Sequence, residues 1–224
     1  MIVTLTGASG VGKSTIGKWL RTFLVCFLKP IQSLTTREPR ESDPFDEYTY
    51  VSSEEFEKMK IEGKFIWEVC PHGTYYYGTT LESLQEARQN PDKVFLMILE
   101  PRSVKTLLLY AKENNLEVFP VFVASPTKTE LRRRLKNRLR KEIEKEVINM
   151  VLQRVPGLII QKYVKQKKEE GRIAIEKRIS DCEEWDEQAL SSEIPYFFVL
   201  NEFPDDGRTT ATVLANEIYK ILGS

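Results

Sequence analysis

Histidine is almost missing from this chain: His72 is the one instance in 224 residues. A metal centre built on several histidines is thereby excluded. Cysteine is sparse too, with Cys26, Cys70 and Cys182 scattered and odd in number. That spacing frames neither a disulfide scaffold nor a zinc site, and it suits a reducing, cytoplasmic setting. Long apolar runs are lacking. The densest early run, Phe23–Leu28, falls far short of the roughly 20 residues that span a bilayer. No charged stretch leads into an apolar core with a small-residue cleavage site, so no secretory signal is expected. Net charge is absent, because Lys+Arg 33 matches Asp+Glu 33, so neither nucleic acid nor a membrane is an expected partner.

What is present alternates between β-prone and helical segments. Ile2–Thr6 is a short β-prone run, and residues 14–28 read as a helix ended by Pro30. Short strands are predicted at 31–34, 48–51, 65–69 and 74–77, with a helix from Ser52–Ser53 to about Glu62. Leu81–Gln89 reads as a helix. Val94–Leu99 and Val118–Val123 are continuous apolar runs, the pattern of strands buried on both faces. Helical stretches follow at 104–114, 129–155, 158–189 and 209–222, with one more buried strand at 196–200. The alternation predicts an α/β fold with a parallel sheet flanked by helices.

Gly7-Ala8-Ser9-Gly10-Val11-Gly12-Lys13-Ser14-Thr15 fits G-x-x-x-x-G-K-[ST], between a predicted strand and a predicted helix. Glycines let successive N–H groups turn inward onto phosphate oxygens, and the helix adds its positive N-terminal end. Lys13 is expected to reach the β- and γ-phosphates of ATP, and the Ser14 hydroxyl to sit on Mg²⁺. The fold expected is therefore of the P-loop NTPase type. A P-loop alone names no acceptor.

Three further blocks do. Ser33-Leu34-Thr35-Thr36-Arg37-Glu38-Pro39-Arg40 is followed by Glu47-Tyr48-Thr49-Tyr50-Val51, then by Phe65-Ile66-Trp67-Glu68 and Gly73-Thr74-Tyr75-Tyr76-Tyr77-Gly78-Thr79. In order and spacing these resemble the guanylate kinase family, with its Ser-x-Thr-Thr-Arg-x-Pro-Arg, Asp-Tyr-x-Phe-Val, Phe-Ile-Glu-Trp and Gly-x-Tyr-Tyr-Gly-Ser/Thr. The resemblance assigns Arg37, Arg40, Tyr48 and Tyr77 to an acceptor phosphate, and Ser33, Glu68 and Thr79 to its base. The chemistry agrees, since two arginines three apart can clamp a monophosphate in bidentate fashion. Taken alone, Arg37 and Arg40 read better as a solvated loop paired with Glu38 and Glu41; the flanking blocks tip them to the phosphate. Tyr75 and Tyr76 are expected to pack.

Two departures bear on the base. The family places its glutamate before the tryptophan, whereas here Trp67 precedes Glu68. A one-residue shift in a strand turns a side chain to the other face, so Glu68 reaches the base only if a bulge restores the register. The family's Leu-Asp-Ile-Asp is here Leu96-Met97-Ile98-Leu99, with Glu100 next as the candidate replacement at the base or at Mg²⁺ through water.

The stretch Leu131-Arg132-Arg133-Arg134-Leu135-Lys136-Asn137-Arg138 resembles the start of the family's lid, Leu-x-x-Arg-Leu-x-x-Arg. Ile175-Glu176-Lys177-Arg178-Ile179 resembles its end, which makes Arg134, Arg138 and Arg178 the catalytic arginines alongside Lys13. Asn201 resembles a family asparagine that contacts adenine. Between the arginines lies an insert at about 139–172, read as a helical hairpin turning at Pro156-Gly157. Its stripe of Ile143, Val147, Val151 and Leu152 packs within the hairpin or against a second copy in a homodimer. The expected organisation is a core of residues 1–32, 80–128 and 190–224, a monophosphate-binding subdomain of 33–79, and an enlarged helical lid of 129–189. The resemblance implies transfer of the ATP γ-phosphate to GMP or dGMP. A kinase of another nucleoside monophosphate or of a phosphosugar, and a non-catalytic phosphopeptide-binding module, are the competing readings.

Overall fold

The computed structural model describes residues 1–39, 46–70, 73–201 and 207–223. Arg40 and His72 therefore lie outside the described residues. Five parallel strands form the central sheet in the order β2 (Leu28–Pro30), β7 (Val94–Ile98), β1 (Ile2–Thr6), β8 (Val118–Ala124) and β9 (Phe197–Leu200). β1 is buried at every residue because it is the middle strand. Its alternation sends Val3 and Leu5 to one core and Ile2 to the other.

Helices cover both faces, as the alternation predicts. α1 (Lys13–Phe23) and α7 (Arg208–Leu222) bring Ile16, Leu20, Leu214 and Ile218 to the first core. α3 (Leu81–Gln89) and α4 (Pro101–Glu113) bring Leu84, Val104 and Leu107 to the second. Each of these side chains is fully buried, and burying one is worth about 1.5–3 kcal/mol.

A second sheet stands beside the first, in the order β4 (Tyr48–Tyr50), β3 (Ser33–Thr35), β6 (Tyr77–Thr80) and β5 (Phe65–Val69). α2 (Ser53–Ile61) covers one face of it, started by the Ser52 side chain, which accepts from the Glu55 N–H. Last come two long helices, α5 (Lys128–Leu152) and α6 (Gly157–Leu190), which pack as a hairpin. Ile143 is buried and Val147 half-buried, whereas Val151, Leu152, Leu158 and Ile159 at the tip are exposed. No helix among the described residues is long and apolar enough to cross a membrane.

Four expectations about elements are corrected. The first helix stops at Phe23, not Leu28, because Leu28–Pro30 pairs with β7 as an edge strand. An edge tolerates Pro30, whose missing N–H leaves no ladder position empty. The strand expected at 31–34 forms at Ser33–Thr35, and the one at 74–77 forms at Tyr77–Thr80. Residues 196–200 do not make a strand buried on both faces. β9 is the other edge, and Phe198 and Leu200 are exposed.

Candidate active site

The glycine-rich loop leaves the end of β1 and enters α1. Gly7, Gly10 and Gly12 take φ of 132°, 94° and 105°, a region that penalises any Cβ. Space forbids one as well. A Cβ on Gly7 would strike the Val123 carbonyl, and one on Gly12 the Asn201 amide. Ala8 and Val11 are buried, Ser9 and Ser14 half-buried, and Thr15 exposed. Lys13 folds back across the loop, its Nζ donating to Gly7 O at 2.7 Å and Ala8 O at 2.9 Å.

Asn201 and Arg134 hold the loop from behind. Asn201 is buried, and its Nδ2 donates to Val11 O at 3.0 Å. Arg134 donates to Val11 O at 3.2 Å, to Asn201 O at 2.8 Å and to Glu130 Oε1 at 2.7 Å. Arg134 is thus a brace between the loop, the end of β9 and its own helix. Its guanidinium is committed to these two carbonyls and one carboxylate.

The acceptor residues follow from the pleat of the second sheet. Directly paired residues share a face, and Ser33 pairs with Tyr48, Thr35 with both Tyr50 and Tyr77, and Trp67 with Thr79. All seven therefore lie on one face. At one end of it Arg37 is buried, its N–H bonded to Thr35 Oγ1 at 3.2 Å and its Nη1 to Glu38 O at 2.8 Å. Its guanidinium lies over the rings of Tyr48 (5.2 Å) and Tyr50 (5.8 Å), and Tyr77 meets Tyr48 edge-on at 6.0 Å. A guanidinium and two phenols make a donor-rich, anion-binding corner. At the other end Ser33 Oγ and Thr79 Oγ1 lie 3.1 Å apart, both buried.

Glu68 is not part of that face. It pairs with Gly78, whose position abuts Phe65 and Phe56, on the side covered by α2. There Lys60 takes it in an ion pair at 3.3 Å. A bulge does occur, between Phe65 and Trp67, but it precedes Trp67 and brings the indole, not the glutamate, to the Thr79 side. Glu100 caps α4, its Oε2 accepting from Arg102 N at 3.1 Å. Burial raises its carboxyl above the ordinary range.

Charge converges where the two halves meet. Burial lowers the Lys13 amine to about 8, the carboxylate of Glu47 opposes this, and the positive charge of Arg138 adds to it. Burial and then Arg138 also lower Arg178, which feels Glu142 and Tyr77 as well. Arg178 also lines a small recess with Ala8 and Ser9 of the loop. Arg138 is held by Glu142 at 3.1 Å on its own helix. Glu47 is the residue that pattern reading passed over. It is buried beside Tyr48, whose hydroxyl burial and then Glu47 push well above its ordinary value. Its neighbour Asp46 is tied to Arg21 of α1 by a bidentate ion pair. Nothing in the local sequence marks a carboxylate before a strand as buried.

The lowered amine has a measurable consequence. Free protein holds Lys13 about half protonated near pH 8, and a polyphosphate beside it holds it fully protonated. ATP binding is therefore expected to take up protons at pH 8.5 and to weaken as pH rises through 8. Titration calorimetry in two buffers of different ionisation enthalpy reads the uptake. Equal heats in both would mean that the ammonium does not meet the phosphates.

Compared with protein families, residues 1–155 match the family described as guanylate kinase. The chain is 34% identical over 136 residues to guanylate kinase of Mycoplasma mobile, covering 60% of this chain and 67% of that one. It is 36% identical over 140 residues to guanylate kinase of Prochlorococcus marinus, covering 60% and 70%. A crystal structure of guanylate kinase from Anaplasma phagocytophilum superposes with a TM-score of 0.58 at 19% identity, over 100% of this chain and 87% of that one, a likeness of fold.

Proposed function

The chain belongs to the guanylate kinase family, and from that premise we propose that it is an ATP-dependent nucleoside-monophosphate kinase, passing the γ-phosphoryl group of ATP to GMP or its deoxy counterpart. The observation that carries this reading is the pairing of an intact phosphate loop, with Lys13 folded across it and Arg178 lining a recess with Ala8 and Ser9, with a second sheet whose face bears Arg37, Tyr48 and Tyr77. Phosphoryl transfer asks the protein mainly for positioning and for positive charge around the moving group. The loop amides and Lys13 hold the donor phosphates. Arg37, with Arg40 and the two phenols, holds the acceptor. Arg138 and Arg178 neutralise the charge between them, and Arg134 and Asn201 keep the loop in shape for the adenine nucleotide.

The donor set fits Mg²⁺. No group of three or more His, Cys, Asp or Glu that could hold a metal occurs among the described residues. Mg²⁺ is held chiefly by substrate phosphates and water with one or two protein oxygens, and Ser14 at the start of α1 offers one. When bound, the ion would screen the phosphate charge.

An intact Lys13–Ser14 pair speaks against a phosphopeptide-binding module. The expected homodimer has support in the exposed apolar tip of the hairpin. ADP release with ATP and Mg²⁺, measured across ribo- and deoxynucleoside monophosphates with Lys13→Ala as the blank, tests the function. Lys13-dependent turnover of GMP is the result expected, and none on any monophosphate would sink it.

A further inference from the structure

A nucleoside monophosphate bound with its phosphate at Arg37, Tyr48 and Tyr77 must carry its base further along the same sheet face. The next residue of β6 on that face is Thr79, about 7 Å beyond Tyr77. Thr79 shares its hydrogen bond with Ser33, and its cross-strand partner is Trp67. The indole is buried in one cluster with Met97 and Leu99, two residues apart along β7 and its continuation. This end of the face is therefore two neutral hydroxyls against an apolar wall. Glu68, next to Trp67, is on the far side of the sheet with Lys60, Glu47 beside Ser33 turns its carboxylate to the Tyr48 hydroxyl, and Glu100 caps α4 through Oε2.

Guanine differs from hypoxanthine by its 2-amino group alone, a donor that only an acceptor can reward. Hydroxyls are neutral acceptors, weaker partners for that donor than a carboxylate, and the indole N–H accepts nothing. We infer that the acceptor base meets the Trp67 wall beside the Ser33–Thr79 hydroxyls, and that none of the carboxylates among the described residues reads the 2-amino group of guanine. The inference rests on the kinase reading for where the acceptor lies. It makes the chain tolerant of 6-oxopurine nucleotides lacking that group.

The test compares GMP with inosine monophosphate, by dissociation constants from titration calorimetry and by kcat/KM at saturating ATP. The native chain, Glu68→Gln and Glu100→Gln are measured side by side. Sites built to hydrogen-bond a polar group reject the analogue lacking it by about 10⁴-fold or more. Here GMP is expected to lead by less than about tenfold, equally in all three proteins. A larger preference in the native chain, or one that collapses in either variant, overturns the inference. If both nucleotides bind but neither is phosphorylated, the kinase reading fails while the ratio of dissociation constants still decides the base contact. Binding of neither overturns both.

Discussion

Replacing Lys13 by alanine is expected to lower turnover by about 10³-fold while leaving the melting temperature no lower than that of the parent chain. The two halves of that expectation have separate causes. The ammonium is the one side-chain cation inside the glycine-rich loop, and phosphate charge grows there as the γ-phosphoryl group loosens. Its loss removes an interaction that is worth most in the transition state. For stability the balance runs the other way. Lys13 donates to the carbonyls of Gly7 and Ala8, and a typical net contribution is about 0.5–1.5 kcal/mol for each such bond. Against that stands the cost of burying an ammonium, large enough to bring its pKa down to about 8. Alanine relieves that cost and forfeits the bonds, so the two largely offset. Steady-state kinetics and a thermal melt on the same preparation separate the outcomes. A fall in activity matched by a collapse of the melt would make Lys13 a structural residue of the loop, and unchanged turnover would remove it from the chemistry.

What could be read beforehand was local in the chain. The glycine-rich loop is one contiguous run between a strand and a helix, so the positive φ of Gly7, Gly10 and Gly12 was foreshadowed by composition alone. The hairpin turn at Pro156-Gly157 was equally local. What escaped was decided by pairing partners far away. Pro30 reads as a helix stop until β7 supplies a neighbour on one side only. Residues 74–77 read as a strand by their aromatic content, yet β6 begins at Tyr77 because Gly78 is the residue that fits against Phe65 and Phe56. The side of the sheet that Glu68 faces depends on where the bulge falls, and a swap of two adjacent residues leaves no trace in composition or periodicity. Arg134 and Arg138 sit one helical turn apart and look equivalent in sequence. Only the carbonyls of Val11 and Asn201, brought up by β1 and β9, make the first a brace and leave the second near Lys13.

Arg178→Ala is expected to reduce kcat by about 10³-fold, at the lower end of what a transition-state arginine supplies, with a smaller effect on the KM for ATP. Arg178 lies on α6 beneath the insert, and its charge is disfavoured first by burial and then by Arg138. Two guanidiniums kept close against their mutual repulsion are stable only if something gains from the field they make. A triphosphate beside a monophosphate is such a partner, since several negative charges arrive together. Because both arginines act on the same developing charge, the double variant with Arg138→Ala is expected to lose less than the product of the single losses. Removing either one relieves repulsion in the free protein, so neither single variant is expected to melt below the parent. Kinetics on the two single variants and the double one distinguish this from a merely solvated helix face, for which kcat would stay within about twofold and the effects would add. A strict product of two large losses would assign the arginines to separate steps, one to the donor and one to the acceptor.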